Sequence, residues 1–263
     1  MIVVMVRFVV TYYTAPPMTV FKTEDAEIEH ILTIDAPTDV ANAVQGAVYD
    51  GEYYYIAFID RTDEYHTAII VKADSEGNQI QRSDVLPLDH ANSITVLEDG
   101  NLMIAHCYSP DEHYQRYSIL DKDTFEIIET GDLNEPFMAI AYSTERDCYV
   151  SGEWSGIKMN VYKSDLSLYT TFMVSFIEET VPQSYYCTAD EIYSIRCAMD
   201  EGVFLNYLYV YSYEGENLLE YELEMPKSCE AEAVSVVEND VYVICGDSGR
   251  CEIYRITNLI SKV

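Results

Sequence analysis

Five stretches decide the fold: VYDGEYYYIAF (48–58), VLEDGNLMIAHC (96–107), YSTERDCYVSGE (142–153), CTADEIYSIRC (187–197) and VVENDVYVICG (236–246). Each reads as a strand, a tight polar turn and a second strand rich in Tyr, Ile and Val. The last large apolar residues of the second strands are Ile56, Ile104, Val150, Ile195 and Ile244, separated by 48, 46, 45 and 49 residues. A unit of that length holding about four strands is the size of a β-propeller blade. The expectation is an all-β protein, a five-bladed β-propeller.

The remaining strands fall inside the units. TAIIVKAD (67–74) is followed by the turn Ser75-Glu76-Gly77-Asn78 and the run QIQRSDVLPL; NYLYVYSYE (206–214) precedes Gly215 and NLLEYELEMP. Both are hairpins with Gly where a turn wants positive φ. The fifth unit runs out early, with six residues after CEIYRIT (251–257). EIEHILTIDAP (27–37) resembles the outer strands elsewhere, so an N-terminal strand is expected to complete the last blade and remove the exposed edges. Residues 1–20 read as an extension and 21–263 as one propeller domain.

Composition excludes several classes. The 263 residues are 49% hydrophobic, which rules out wholesale disorder, and no apolar run approaches the ~20 residues that span a bilayer. Lys and Arg total 15 against 46 Asp and Glu, a formal charge of −31. That field repels nucleic acid and anionic lipid, so neither is an expected partner. The apolar start at Met1 lacks the basic n-region of a secretory signal. The seven cysteines are odd in number and contain no CxxC, which speaks against a disulfide framework or structural zinc. A reducing, cytoplasmic setting follows.

Aligned positions of a propeller converge at a channel mouth. Stepping back from the five anchors by 12 residues, or 11 in the first blade, reaches Gln45, Asn92, Met138, Gln183 and Glu232. His90 and Glu230 precede two of these starts. The ends of the second strands add His106, Glu153, Arg196 and Asp247. Gln45, His90, Asn92, His106, Glu153, Gln183, Arg196, Glu230 and Glu232 are therefore the candidate ligand-binding residues, converging on a small polar ligand. The competing reading is that they hydrate the mouth or bond to neighbouring blades. His90 and His106 could meet as base or metal ligands, although no metal spacing accompanies them, and no metal is assigned. Glu230 and Glu232 share a strand face and could couple. Trp154 is either a stacking platform or a packing residue. The acids around Asp60, Asp63 and Glu64, and around Asp111 and Glu112, lack an EF-hand pattern and read as solvated loops. GxGxxG, Walker, HExxH and GxSxG motifs are absent.

QGAVYDGEYYYIAF, DHANSITV, MIAHC and AIAY together resemble a group of bacterial five-bladed β-propeller proteins, over most of residues 41–250. In that group a QG start and a GHAN-type second-blade start recur; here Asp89 stands where the Gly is usual. This resemblance implies the propeller and no particular activity. Gln45-Gly46 is also similar to the opening of the first innermost strand in plant- and bacterial-type glutaminyl cyclases. That likeness implies proton transfer by acids at the mouth during cyclisation of an N-terminal glutamine. Gln45 and Asn92 are not acidic, so Glu153 or Glu232 would have to serve. Three functions are thus expected in turn: a soluble module binding a small polar ligand or partner segment at the mouth, a glutaminyl-cyclase-like enzyme, or an acidic scaffold for a basic protein partner.

Overall fold

In a computed structural model the described residues are 26–60, 62, 66–107, 114–177 and 179–259. They form twenty strands in five four-stranded antiparallel sheets. Blade one is β2 (Ala41–Tyr49), β3 (Tyr53–Asp60), β4 (Ala68–Asp74) and β5 (Gln79–Arg82). Blade two is β6 (Ser93–Val96), β7 (Leu102–Ala105), β8 (Arg116–Leu120) and β9 (Ile127–Asp132). Blade three is β10 (Ala139–Ser143), β11 (Cys148–Gly152), β12 (Lys158–Lys163) and β13 (Leu168–Met173). Blade four is β14 (Val181–Cys187), β15 (Glu191–Asp200), β16 (Val203–Ser212) and β17 (Asn217–Leu223). Blade five is β18 (Glu230–Val237), β19 (Asp240–Asp247), β20 (Arg250–Thr257) and, from the other end of the chain, β1 (Glu27–Asp35). The five-bladed propeller and its closing strand are as expected. The 1–20 extension and the acids Asp63, Glu64, Asp111 and Glu112 lie outside the described residues.

β1 runs antiparallel to β20 from Glu27 opposite Thr257 to Asp35 opposite Arg250. Polar side chains fasten the pair: Thr33 Oγ1 donates to Glu252 Oε2 at 2.6 Å, and Arg255 Nη2 to Glu29 Oε2 at 2.7 Å. Gly77 (φ 84°) and Gly215 (φ 86°) take the left-handed conformation their turns require.

The core is a ring of five apolar layers, one between each pair of adjacent blades. This explains why the inner strands read as nearly continuous apolar runs. Along β3, Tyr54, Ile56 and Phe58 face blade five, while Tyr55, Ala57 and Ile59 face blade two. The period of two still operates, but both faces are buried. Near the axis the blades approach too closely for large side chains, and hydroxyls take over. Ser93 Oγ accepts the Ile140 N–H, Thr95 Oγ1 the Tyr142 N–H, Ser184 Oγ the Val234 N–H and Ser235 Oγ the Tyr49 N–H, at 2.9–3.2 Å. At Gly46 any Cβ would collide with the Ala91 carbonyl.

Candidate functional sites at the two mouths

The axial channel has two mouths, one where the innermost strands begin and one where their hairpins turn. At the first, three of the five strands carry a β-bulge at the aligned position: between Val44 and Ala47, between Pro182 and Ser184, and between Ala231 and Ala233. A bulge re-aims side chains and ends regular pairing. Gln45, Gln183 and Glu232 sit at these bulges, and Asn92 and Met138 stand just before β6 and β10.

These residues do come together. Asn92 Nδ2 donates to the carbonyls of Met138 (3.0 Å) and Gln183 (2.9 Å), joining blades two, three and four. Gln45 Nε2 donates to Glu232 Oε1 at 3.2 Å, and Gln183 Nε2 to Glu230 Oε1 at 3.3 Å. His90 Nδ1 lies 3.1 Å from Asn92 Oδ1. Gln45, Asn92 and Glu232 are buried. The space left here is a cavity of about 230 Å³ between blades five and one, bordered by Asn42, Ser228, Glu230, Glu232, Asp247 and Arg250.

The residues at the second-strand ends tie structure together. His106 is 2% exposed; its Nδ1 lies 2.7 Å from Asp89 Oδ2 and its Nε2 2.8 Å from Ser118 Oγ. Ser118 Oγ continues to Thr130 Oγ1 at 3.0 Å, so one chain of contacts crosses blade two. Asp89 adopts φ 50°, the left-handed conformation in which Gly is usual and Asp is tolerated. Arg196 is fully buried: Nε donates to Thr180 Oγ1 (2.9 Å), and Nη2 to the carbonyls of Thr180 (2.6 Å) and Ser155 (3.3 Å). Its guanidinium stacks 3.4 Å from the Phe176 ring, Nη1 has no partner, and burial lowers its pKa. Glu153 is half-buried and accepts a hydrogen bond from Ser155 Oγ at 2.7 Å; Trp154 beside it is 56% exposed. Among the described residues no three His, Cys, Asp or Glu side chains are arranged to hold a metal ion.

The opposite mouth was not singled out from the sequence. A cavity of about 890 Å³ opens there, lined from all five blades, including Asp50, Thr95, Glu145, Asp190, Glu191 and Glu238 with the rings of Tyr49, Tyr142 and Tyr186. The inner hairpin turns that surround it each carry two carboxylates, counting Glu191 and Asp240 at the strand starts. The pairs are Asp50 and Glu52, Glu98 and Asp99, Glu145 and Asp147, Asp190 and Glu191, Glu238 and Asp240. Arg146 is the one base among these turns; it donates to the Ala189 carbonyl and lies 3.9 Å from Asp190. Some of the acids build their turns: Asp50 Oδ1 accepts the N–H groups of Glu52 and Tyr53, and Asp99 Oδ1 that of Asn101. The charges are felt across blades. The Tyr186 hydroxyl in blade four is pushed up to about 12 by burial, then by Glu145 of blade three, with further effects from Cys187 and from Asp50 of blade one. The signal lies in the aligned turns DGE, EDG, ERD, DE and END, between the strands rather than at their outer ends.

No protein-family model matches the chain, and no curated protein matches it in sequence. Solved structures match in shape. The β-propeller domain of Cps50 (Swd1) from Myceliophteria thermophila superposes with a TM-score of 0.51 at 10% identity, over 87% of this chain and 99% of that domain. Hydrazine synthase of Kuenenia stuttgartiensis gives a TM-score of 0.47 at 11% identity over 79% of this chain, which spans 56% of its length. U3-55K gives 0.46 at 12% identity over 82% of this chain, which spans 61% of its length. At such identities the likeness reaches the architecture alone. The chain is a five-bladed β-propeller.

Proposed function

We propose that this propeller is a binding module whose acidic mouth takes a lysine- or arginine-rich segment of a partner protein. One observation carries the reading: two carboxylates in each of five turns surround a single axis, with Arg146 as the only base among them. The cavity of about 890 Å³ is within the range of ligand sites, and its rings and hydroxyls can pack the stems of basic side chains. A formal charge of −31 speeds the approach of a cation and disfavours nucleic acid and anionic membrane. No helix among the described residues is long and apolar enough to cross a membrane. All seven cysteines are buried thiols, in keeping with a reducing, cytoplasmic setting.

The test is calorimetric titration with an oligolysine peptide. Binding should weaken steeply with added salt and fall more than about tenfold in the triple variant Glu145→Gln, Asp190→Asn, Glu238→Gln. Absent binding, or binding untouched by the three substitutions, overturns the reading.

A second reading rests on Glu232, which is 2% exposed and borders the smaller cavity at the other mouth. There a small polar ligand would meet Gln45, His90, Asn92, Gln183, Glu230 and Glu232, with His106, Glu153 and Arg196 supporting the surrounding loops. Ligand stabilisation lost in Glu232→Gln would favour it. Turnover of an N-terminal glutaminyl peptide with a bell-shaped pH profile would favour the enzyme form of this site.

A further inference from the structure

The outer edge of blade three differs from the other four. Their outermost strands carry charge: Arg82 in β5, Glu129 and Asp132 in β9, Glu220 and Glu222 in β17, and Glu27, Glu29 and Asp35 in β1. β13 reads Leu-Tyr-Thr-Thr-Phe-Met, and no charged residue stands between Asp165 and Glu178. Leu168, Tyr169 and Met173 are 47, 69 and 61% exposed, and both threonines are exposed. Among the described residues no strand pairs with its outer side. An uncharged edge of this kind is a template for another strand, and natural sheets usually blunt it with charge.

Two observations say what covers it. Copies of a chain with charge −31 repel one another over most of their surfaces. The β12–β13 hairpin, with Lys158, Lys163 and Asp165, is the one outer strand pair of net positive charge, connecting turns included; the outer pairs of blades two, four and five are net acidic and that of blade one is balanced. A second copy therefore meets the least repulsion here. The strand is also its own complement. Antiparallel pairing about a two-fold axis at Thr170 sets Leu168 opposite Phe172 of the second copy and Thr170 opposite itself. An axis at Thr171 sets Tyr169 opposite Met173 and Thr171 opposite itself. The first axis also sets Tyr169 opposite Thr171 and the second Thr170 opposite Phe172, so in either register every cross-strand pair is uncharged.

We propose that the chain forms a two-fold homodimer through β13, joining two copies of blade three into one eight-stranded sheet. The contact is isologous and closes on itself, so assembly stops at two.

Sedimentation of the full chain tests this. The wild type should dimerise, and more tightly as salt screens the repulsion between acidic copies. Tyr169→Lys and Thr170→Lys should each raise the dimer dissociation constant more than about tenfold, since each sets a charge against an uncharged partner strand, with the circular dichroism unchanged. A cysteine scan supplies an independent reading, because all seven native thiols are buried. Either Thr170→Cys or Thr171→Cys should give an interchain disulfide on mild oxidation, and Gln79→Cys on β5 should not. A chain monomeric at every concentration, a dimer that survives both lysine variants, or crosslinking no better than that of Gln79→Cys overturns the proposal.

Discussion

His106 serves blade two through both ring nitrogens, one held by Asp89 and the other by Ser118, all three buried. His106→Ala would take one partner from a buried carboxylate and one from a buried hydroxyl that keeps Thr130, so denaturant unfolding should show a loss of about 1–3 kcal/mol. An unchanged midpoint would mean that solvent reaches the gap. Gly156 has φ 65° and lies against the buried Arg196 guanidinium, leaving no room for a Cβ. Gly156→Ala should therefore lower the melting temperature, by strain and by displacement of a cation that holds Ser155 and Thr180. Glu220 behaves in the opposite sense. Burial raises its carboxyl above the ordinary 4.5, and Oε2 has no partner. A raised folded-state pKa means that the native chain holds its proton more tightly than the unfolded one. Stability from this group is full below the unfolded-state value and is lost as pH rises through the folded one. Glu220→Gln should thus melt higher than wild type at neutral pH, with the difference vanishing in acid; equal melting curves at neutral pH would refute this.

At the scale of elements, three bulges and one borrowed strand shape the molecule. The period from Ile56 to Ile244 was legible because each blade repeats one hairpin pattern, and the match of EIEHILTIDAP to the outer strands announced β1. The bulges at Gln45, Gln183 and Glu232 were not legible, since one extra residue leaves the apolar pattern of the flanking strand intact. Their effect is to turn amides and carboxylates toward one another, as in the Gln45–Glu232 and Gln183–Glu230 contacts. β1 covers the outer edge of β20 along eight residue pairs. Deleting residues 1–35 would expose that edge and remove Ile34 from the core between blades five and one. The truncated chain should aggregate or lose cooperative melting in gel filtration and calorimetry; a sharp transition near the wild-type temperature would show that β1 is dispensable.

For the whole molecule, charge and thiol chemistry are the measurable properties. A formal charge of −31 opposes the compact state, so added sodium chloride should raise the melting temperature, whereas a flat response would mean that the acids are already neutralised by bound cations. Burial pushes the thiols of Cys187, Cys197, Cys245 and Cys251 well up, and alkylation of the native protein should be slow until it unfolds. The sequence by itself determined the blade count, the closing strand and the acidic field, because these depend on local pattern, repeat length and composition. Only the tertiary structure decided which polar residues are spent on each other and which line open space. His106 and Arg196 turned inward because blade packing brought Asp89, Ser118, Ser155 and Thr180 within hydrogen-bonding distance. The carboxylates of five turns, dispersed along nearly two hundred residues, became one ring because the blades close around an axis.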